Sequence, residues 1–279
     1  ILYSEGNEIT RDVNLAIRYL SIASELNDSQ SSYLLGIIYS TGQYIERNIN
    51  KAIHYLTLSA NQNEALAQSY LGLIFYLGEI VEKNITKAIH YLSLAANQYN
   101  GNAQYNLGYI YYEGTDVPRD MKKAIYYFQL ASNQNVAKAQ FFLGLFNLKG
   151  ICIQKNIKKG IEFLQLASKN GSKEANFELG FLFHEGKYID QNISSSIHHY
   201  KEASSFNNQY AKNNLGVLYR HGFYGEVQKK LGLSIDYFRE AIKQTNDKVC
   251  MYNLAHLYLY ENPIKDSIEK AIELLINSI

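Results

Sequence analysis

Several features are scarce in this 279-residue sequence, and each scarcity excludes something. Only two prolines occur, so long helices can form without interruption. The two cysteines, Cys152 and Cys250, are too few for a disulfide framework. A net charge of only +1 offers no basic surface for nucleic acid or for an anionic membrane. No apolar run reaches the ~18 residues of a membrane span, so we predict no transmembrane helix in this segment.

The sequence also lacks the short motifs that carry enzymatic chemistry. It contains no G-x-S-x-G nucleophile turn, no phosphate-binding P-loop, no G-x-G-x-x-G dinucleotide loop and no H-E-x-x-H zinc helix. We therefore predict that this chain is not an enzyme and that it has no catalytic, cofactor-binding or metal site.

An internal repeat is the main feature that the sequence does contain. A Leu-Gly pair returns at steps of 36 residues, and a Leu-Ala copy follows after a step of 39. A period in this range is typical of a solenoid of stacked units. The pairs are Leu35-Gly36, Leu71-Gly72, Leu107-Gly108, Leu143-Gly144, Leu179-Gly180, Leu215-Gly216 and Leu254-Ala255.

Each period predicts two helices. Ala103, Leu107 and Tyr111 recur on one helical face, and Gly114 ends that first helix because glycine accepts positive φ. An Asp or Asn then caps the second helix by accepting hydrogen bonds from its free N–H groups. These predicted caps are Asp12, Asn48, Asn84, Asp120, Asn156 and Asn192.

The glycine of each Leu-Gly pair lies inside a predicted helix, where it costs ~1 kcal/mol relative to alanine. A close approach of two backbones would offset that cost. We therefore expect Gly108 of the first helix to face Ala124 of the second.

The full pattern resembles Sel1-like repeats, relatives of tetratricopeptide repeats with a longer loop inside each helix pair. The resemblance implies an all-α fold, a right-handed α-α superhelix of about seven helix pairs plus partial ends, forming a single solenoid over residues 1–279. Because the sequence opens inside a repeat, we expect it to be a fragment of a longer chain. The copy that matches best carries Ala103, Leu107, Gly108, Tyr111, Gly114, Val117, Asp120, Ala124 and Ala131.

Members of this family mostly act as adaptors and scaffolds. The resemblance thus implies a non-enzymatic chain that binds a partner protein or peptide. An alternative is a regulatory or targeting arm of a larger enzyme, such as a protein kinase, with the chemistry outside this segment. Cysteine-rich members that have been linked to β-lactam binding carry disulfide pairs that this sequence lacks. The sequence does not indicate an oligomeric state.

By the same resemblance, the first helices line a concave binding side, with the binding positions six and three residues before and one, four and five residues after the glycine of the Leu-Gly pair. The candidate residues come from the stripes at −3, +1 and +4. Aromatic side chains in such a groove are typical binding hot spots. An alternative left open is that the rings at −3 and +1 pack between adjacent first helices, whereas position +4 is expected to be exposed. The candidate partner-binding residues are Tyr76, Tyr105, Tyr109, Tyr112, Phe141, Phe177, Phe181, His184 and Arg220.

Titratable side chains gather in one part of the sequence, at His184, Glu185, Arg220 and His221. This set could bind an acidic group or a metal ion, but it lacks the H-x-x-x-H spacing of a metal-binding helix, which favours a solvated polar rim. A second set of histidines recurs at one position of the second helices and is expected to be an exposed stripe. It comprises His54, His90 and His198.

Overall fold

The computed structural model describes residues 12–223, 228–245, 247–261 and 267–277. In this part of the chain the secondary structure is entirely α-helical, with fifteen helices. The chain divides into two compact units, Ile1–Leu143 and Gly144–Ile279. None of the helices in the described ranges is long and apolar enough to cross a bilayer.

From residue 12 onwards, where the structure describes it, the first unit contains seven complete helices. The even-numbered ones carry the Leu-Gly pairs and are the first helices of their repeats. These elements are α1 (Val13–Glu25), α2 (Ser29–Thr41), α3 (Ile49–Asn61), α4 (Ala65–Leu77), α5 (Ile85–Asn97), α6 (Gly101–Glu113) and α7 (Met121–Asn133).

The second unit repeats the same alternation of first and second helices, and α8 (Ala137–Lys149) contains the boundary residue. Its other elements are α9 (Ile157–Lys169), α10 (Lys173–Glu185), α11 (Ile193–Ser205), α12 (Gln209–His221), α13 (Leu231–Thr245), α14 (Lys248–Tyr260) and α15 (Ser267–Asn277).

The predicted helix boundaries are confirmed by hydrogen bonds. Asp120 accepts from the backbone N–H of Lys123 at 3.0 Å, and the other five predicted caps make the same bond at their own helices. Gly114 ends α6 with a φ of 68°, in the left-handed region, while its amide bonds the carbonyl of Ile110. The local sequence therefore fixes where these helices begin and end.

The glycine of each Leu-Gly pair leaves a notch on its helix that is filled by one side chain of the paired second helix. A Cβ built on Gly108 would lie 2.8 Å from the ring of Phe128 and 3.2 Å from the carbonyl oxygen of Ala124. The expected contact with Ala124 is thus present, but the Phe128 ring is the nearer neighbour. Gly36 faces Leu56 in the same manner. Phe128 and Leu56 are fully buried, so these notches lie at the centre of the core.

A second contact joins the two helices of a repeat near the surface. Tyr111 of α6 and Tyr127 of α7 stack with ring centroids 6.1 Å apart and planes 5° from parallel. The ammonium of Lys123 lies 4.9 Å from the centroid of Tyr111. The arrangement recurs in the first unit, where Tyr39 stacks on Tyr55 below Lys51 and Phe75 stacks on Tyr91 below Lys87.

Candidate partner-binding groove

The side chains at position +4 are mostly withdrawn from solvent, so the expectation that this stripe is exposed is wrong. Ser40, Leu148 and Arg220 are each less than a tenth exposed. Tyr76, Tyr112 and His184 are half-buried.

These residues are covered because position +4 contacts the next first helix along the chain. Tyr76 of α4 donates a hydrogen bond from its hydroxyl to Glu113 of α6 at 2.8 Å. Arg220 of α12 donates from Nε to Glu261, which directly follows α14. The stripe therefore links successive repeats.

A cluster of aromatic rings in the first unit contains three of the predicted residues. Tyr105, Tyr109 and Tyr112 of α6 all lie within 6.4 Å of the ring of Phe142, measured between centroids. Phe142 also stacks on Phe128 at 5.0 Å, with the planes 2° apart. These rings pack between helices, which is the arrangement that the sequence left open as the alternative. A partner-binding role for them stays a prediction.

Phe142 is central to this cluster, yet the sequence analysis did not single it out. It lies two residues before Gly144, between the stripes that were considered, next to the predicted Phe141. The ring centroids of Phe141 and Phe142 lie 5.7 Å apart. The two consecutive phenylalanines could have indicated that Phe142 belongs to the same cluster.

The hydroxyl groups of two clustered tyrosines are occupied by one carboxylate. Glu113 accepts from Tyr76 at 2.8 Å and from Tyr109 at 3.2 Å. Burial and then the charge of Glu113 raise the pKa of Tyr109, and burial with the same carboxylate raises the pKa of Tyr76. Both hydroxyls thus stay protonated donors. The bond from Tyr76 joins α4 to α6, and the bond from Tyr109 holds the same carboxylate from within α6.

In the second unit the predicted rings differ in exposure. Phe177 is half-buried, with its ring centroid 5.9 Å from that of Tyr200 and 6.2 Å from that of Tyr210. His184 meets the same Tyr200 edge-on at 6.4 Å. Phe181 is 44% exposed and presents much of its ring to solvent.

Of the titratable side chains that were predicted to gather, Arg220 pairs with residues outside the predicted set. Arg220 turns to Glu261 and to His256, whose Nδ1 lies 2.6 Å from the guanidinium, and Lys229 reaches Glu261 at 2.7 Å. Burial is the largest influence on the Glu261 carboxyl and opposes its ionisation, but the bonds from Lys229 and Arg220 lower its pKa overall. Arg220 is therefore part of a buried ion pair.

Three histidines recur at one position of the second helices. His54, His90 and His198 are exposed on second helices, as expected. In the described residues no three His, Cys, Asp or Glu side chains are arranged to hold a metal ion.

An open groove of about 840 Å³ lies in the first unit. Its walls come from the −3 stripe, with Tyr33 of α2, Ser69 of α4 and Tyr105 of α6, together with Leu73 at +1. Its rim comes from the linkers that precede α6 and α8 and from Lys138. The first helices thus form a concave surface here, at the positions that the sequence analysis placed on the binding side.

The linkers between repeats share a backbone conformation that the sequence analysis did not find. In each of the six linkers that the structure describes in full, one residue has a φ between 58° and 89°, in the left-handed region that favours glycine and asparagine. Tyr99 is the one residue of this set that is neither asparagine nor glycine. It has a φ of 61° and 75% of its surface is exposed. The sequence does show this position, because asparagine or glycine recurs there at a fixed interval. The equivalent residues are Asn27, Asn63, Asn135, Gly171 and Asn207.

Comparison with known proteins agrees with this architecture. The family model of the Sel1 repeat matches residues 1–28, 29–64, 65–100, 101–136, 137–172, 173–205, 209–246 and 248–278. No curated protein matches the chain as a whole. The eight matched segments follow the alternation of first and second helices seen in the structure.

Solved structures with the same fold are similar to nearly the whole chain. One is c5321, a protective antigen present in uropathogenic Escherichia coli strains and displaying an SLR fold, with a TM-score of 0.86 and 24% identity over 99% of this chain. The chain spans 59% of the length of that antigen. Another is a Sel1 repeat protein from Oxalobacter formigenes, with a TM-score of 0.69, 22% identity, and coverage of 99% of this chain and 79% of that one. Since repeats account for almost every residue, the chain belongs to the Sel1-repeat family, whose members are generally protein-interaction scaffolds.

Proposed function

We propose that this chain is a scaffold without catalytic activity that holds a segment of a partner protein in the groove of its first unit. The observation that carries the proposal is the groove itself. Its volume of about 840 Å³ is comparable to the roughly 300–1,000 Å³ of clefts that hold small molecules and cofactors, so it has room for a few side chains of a bound segment. Leu66, half exposed on its wall, and Tyr105 supply apolar and aromatic contact area of the type that dominates interfaces.

The aromatic cluster supports this function by keeping the wall of the groove rigid. Tyr105 lines the groove with one part of its ring and packs on Phe142 and Phe128 with another. Because Tyr109 and Tyr112 pack around the same Phe142, a partner would meet a surface that is already ordered. Pre-ordering lowers the entropy lost on binding. Tyr76, Tyr109 and Tyr112 are thus positioning residues rather than contact residues.

In the second unit we propose that Phe181 offers a further contact for a partner. It is 44% exposed, and Tyr210 on the following first helix is 58% exposed. Phe177 packs against Tyr210, with ring centroids 6.2 Å apart. His184 is half-buried, as is Phe141 in the first unit, and Arg220 serves the ion pair with Glu261. The alternative role as an arm of a larger enzyme has no observation of its own in this chain.

The experiment compares two aspartates on one helix. Leu66 and Leu77 both lie on α4 and are 50% and 49% exposed, but only Leu66 lines the groove. The wild-type chain, Leu66→Asp and Leu77→Asp are used as baits for affinity capture and mass spectrometry, after melting curves have shown equal folding. We expect a partner that is retained by Leu77→Asp and lost from Leu66→Asp. Capture that is equal for all three baits, or absent from all, would contradict the proposal.

A further inference from the structure

The charge along the groove is uneven. Lys138, at the α8 end, has its ammonium 5.8 Å from the centroid of the Tyr105 ring, and no carboxylate belongs to the described side chains that line the groove. The nearby acid is Glu64, which caps α4 at the other end, where its charge acts on Tyr33. A negative group would therefore be attracted to the end of the groove beside Lys138.

The start of α8 adds to this positive potential. Val136 occupies the cap position and has no side-chain oxygen to accept from the first N–H groups of the helix. Because those groups carry the positive end of the helix dipole, the partial charge beside Lys138 stays uncompensated by a cap. In the other repeats the same position holds Asp28, Glu64, Asn100, Ser172 or Asn208, each of which accepts such a bond.

Polar side chains along the groove walls are available for hydrogen bonds. Ser69 is only 9% exposed, yet its hydroxyl has no partner within the described part of the chain. The carboxamides of Asn102 and Asn106 line the same surface and also lack intramolecular partners among the described residues. The Ser69 hydroxyl can therefore donate to or accept from a ligand, and a carboxamide can both donate and accept. This set suits the alternating N–H and C=O groups of an extended backbone.

Tyr99 is an aromatic ring held at the rim of the groove at a conformational cost. Its left-handed φ of 61° is unfavourable for a bulky residue. Because 75% of the residue is exposed, the ring contributes little packing to the core. A ring that strains the backbone without filling the core is well placed to contact a ligand.

We infer that the groove binds an extended acidic segment of a partner protein, with one carboxylate of the segment at the Lys138 end. The side-chain amides and Ser69 bind the backbone of the segment, and Tyr99 covers it from the rim. This inference rests on the proposed function and adds the chemical class of the partner.

The test selects ligands without assuming their sequence. Random decapeptides displayed on phage are selected on the purified chain, and the selected peptides are titrated with fluorescein labels by fluorescence anisotropy. We expect Asp or Glu to be enriched at one position. Lys138→Gln should raise Kd about tenfold, as loss of one charge-assisted bond would. The matched control is Lys122→Gln, because Lys122 is also exposed and is also the second residue of its helix.

Two further measurements show whether the effect arises at the groove. Replacing the acidic residue of the peptide by its amide should weaken binding to the wild type but not to Lys138→Gln, since the two groups act as a pair. Tyr99→Asn should raise Kd several-fold while the melting temperature stays the same or rises. A residue with only a structural role would not show these opposite signs.

The outcomes separate this inference from the function on which it rests. Selected peptides that are neutral or basic, yet lose binding with Leu66→Asp, would leave the scaffold function standing and overturn the acidic class. If the selected peptides bind equally well to the wild type, Leu66→Asp and Lys138→Gln, or if the selection yields no peptide, both the scaffold function and the acidic class are overturned.

Discussion

The ring of Phe128 fills the notch that Gly108 leaves on the facing helix, so closely that a Cβ at Gly108 would lie 2.8 Å from it. The distance is shorter than real Cβ contacts, and Phe128 is fully buried with no room to move away. The glycine is thus required by the side chain opposite it. Its cost inside a helix is offset by the burial of an aromatic ring.

This contact predicts that Gly108→Leu lowers the free energy of unfolding by about 2 kcal/mol or more through overpacking. Chemical denaturation monitored by circular dichroism measures the change. The matched control is Gly232→Ala in α13, where an added Cβ meets nothing within 4 Å, and which should leave stability unchanged or slightly higher. Equal effects of the two substitutions would show that helix propensity, and not the notch, governs the glycine.

The strained linker predicts a stabilising substitution. Tyr99→Asn should raise the free energy of unfolding by about 1 kcal/mol, because asparagine tolerates the left-handed conformation that four other linkers give to asparagine. The reverse change at an equivalent position, Asn27→Tyr, should lower stability by a similar amount, because Asn27 is exposed and has a φ of 65°. Thermal melts of both variants test the pair, and a loss of stability in Tyr99→Asn would contradict the account of strain.

A half-buried carboxyl in the second unit predicts a pH dependence. Burial raises the pKa of Glu178 above its usual range, with Lys149 opposing the shift only in part. Since the folded-state pKa exceeds the unfolded one, this group favours folding most below the unfolded pKa, and that contribution is lost as pH rises through the folded value. Glu178→Gln should therefore raise the melting temperature at pH 7, and the advantage over wild type should shrink below pH ~4.5. An advantage that does not vary with pH would exclude ionisation as the cause.

The ion pair around Glu261 predicts the opposite dependence. Its lowered pKa means that the pair stabilises the fold above the unfolded pKa of the carboxyl, and that this contribution is lost as pH falls through the lower folded value. Arg220→Met should cost about 2–4 kcal/mol at pH 7, because it leaves Glu261 partly buried with one partner fewer. Melts between pH 3 and 7 should show a smaller acid sensitivity in Arg220→Met than in wild type. The exposed Lys122→Met serves as the control and should change neither value.

The parts of the fold that depend on near neighbours in sequence were predictable. The cap at Asp120, the helix end at Gly114 and the notch at Gly108 each follow from residue type and spacing, since helix ends require a polar acceptor or a positive φ. The groove was predictable at the −6, −3 and +1 positions, which contribute for example Leu66, Ser69 and Leu73. Whether position +4 is exposed depends on how successive first helices pack, and Tyr76 is covered because Glu113 comes from the next repeat.

The remaining features of the groove depend on differences between repeats. Lys138 lies six residues before Gly144, a position expected on the binding side for which no individual side chain was proposed, and Phe142 falls between two of the other stripes. Val136 and Tyr99 are recognisable only once the cap and linker positions of the other repeats are known from the structure. A periodic pattern identifies the scaffold from what its copies share, whereas the candidate site consists of positions at which one copy departs from the rest.

The stacked pair Tyr111–Tyr127 and the notch at Gly108 both join helices of the same repeat. Each such contact closes within one 36-residue period, so duplication of a whole period would copy both halves of every pair together. An array of this kind can gain or lose a repeat by in-frame recombination without separating the members of these within-repeat pairs. Its length is thus open to evolutionary change, while the groove, which depends on a few divergent side chains, would be lost if its own repeats were replaced.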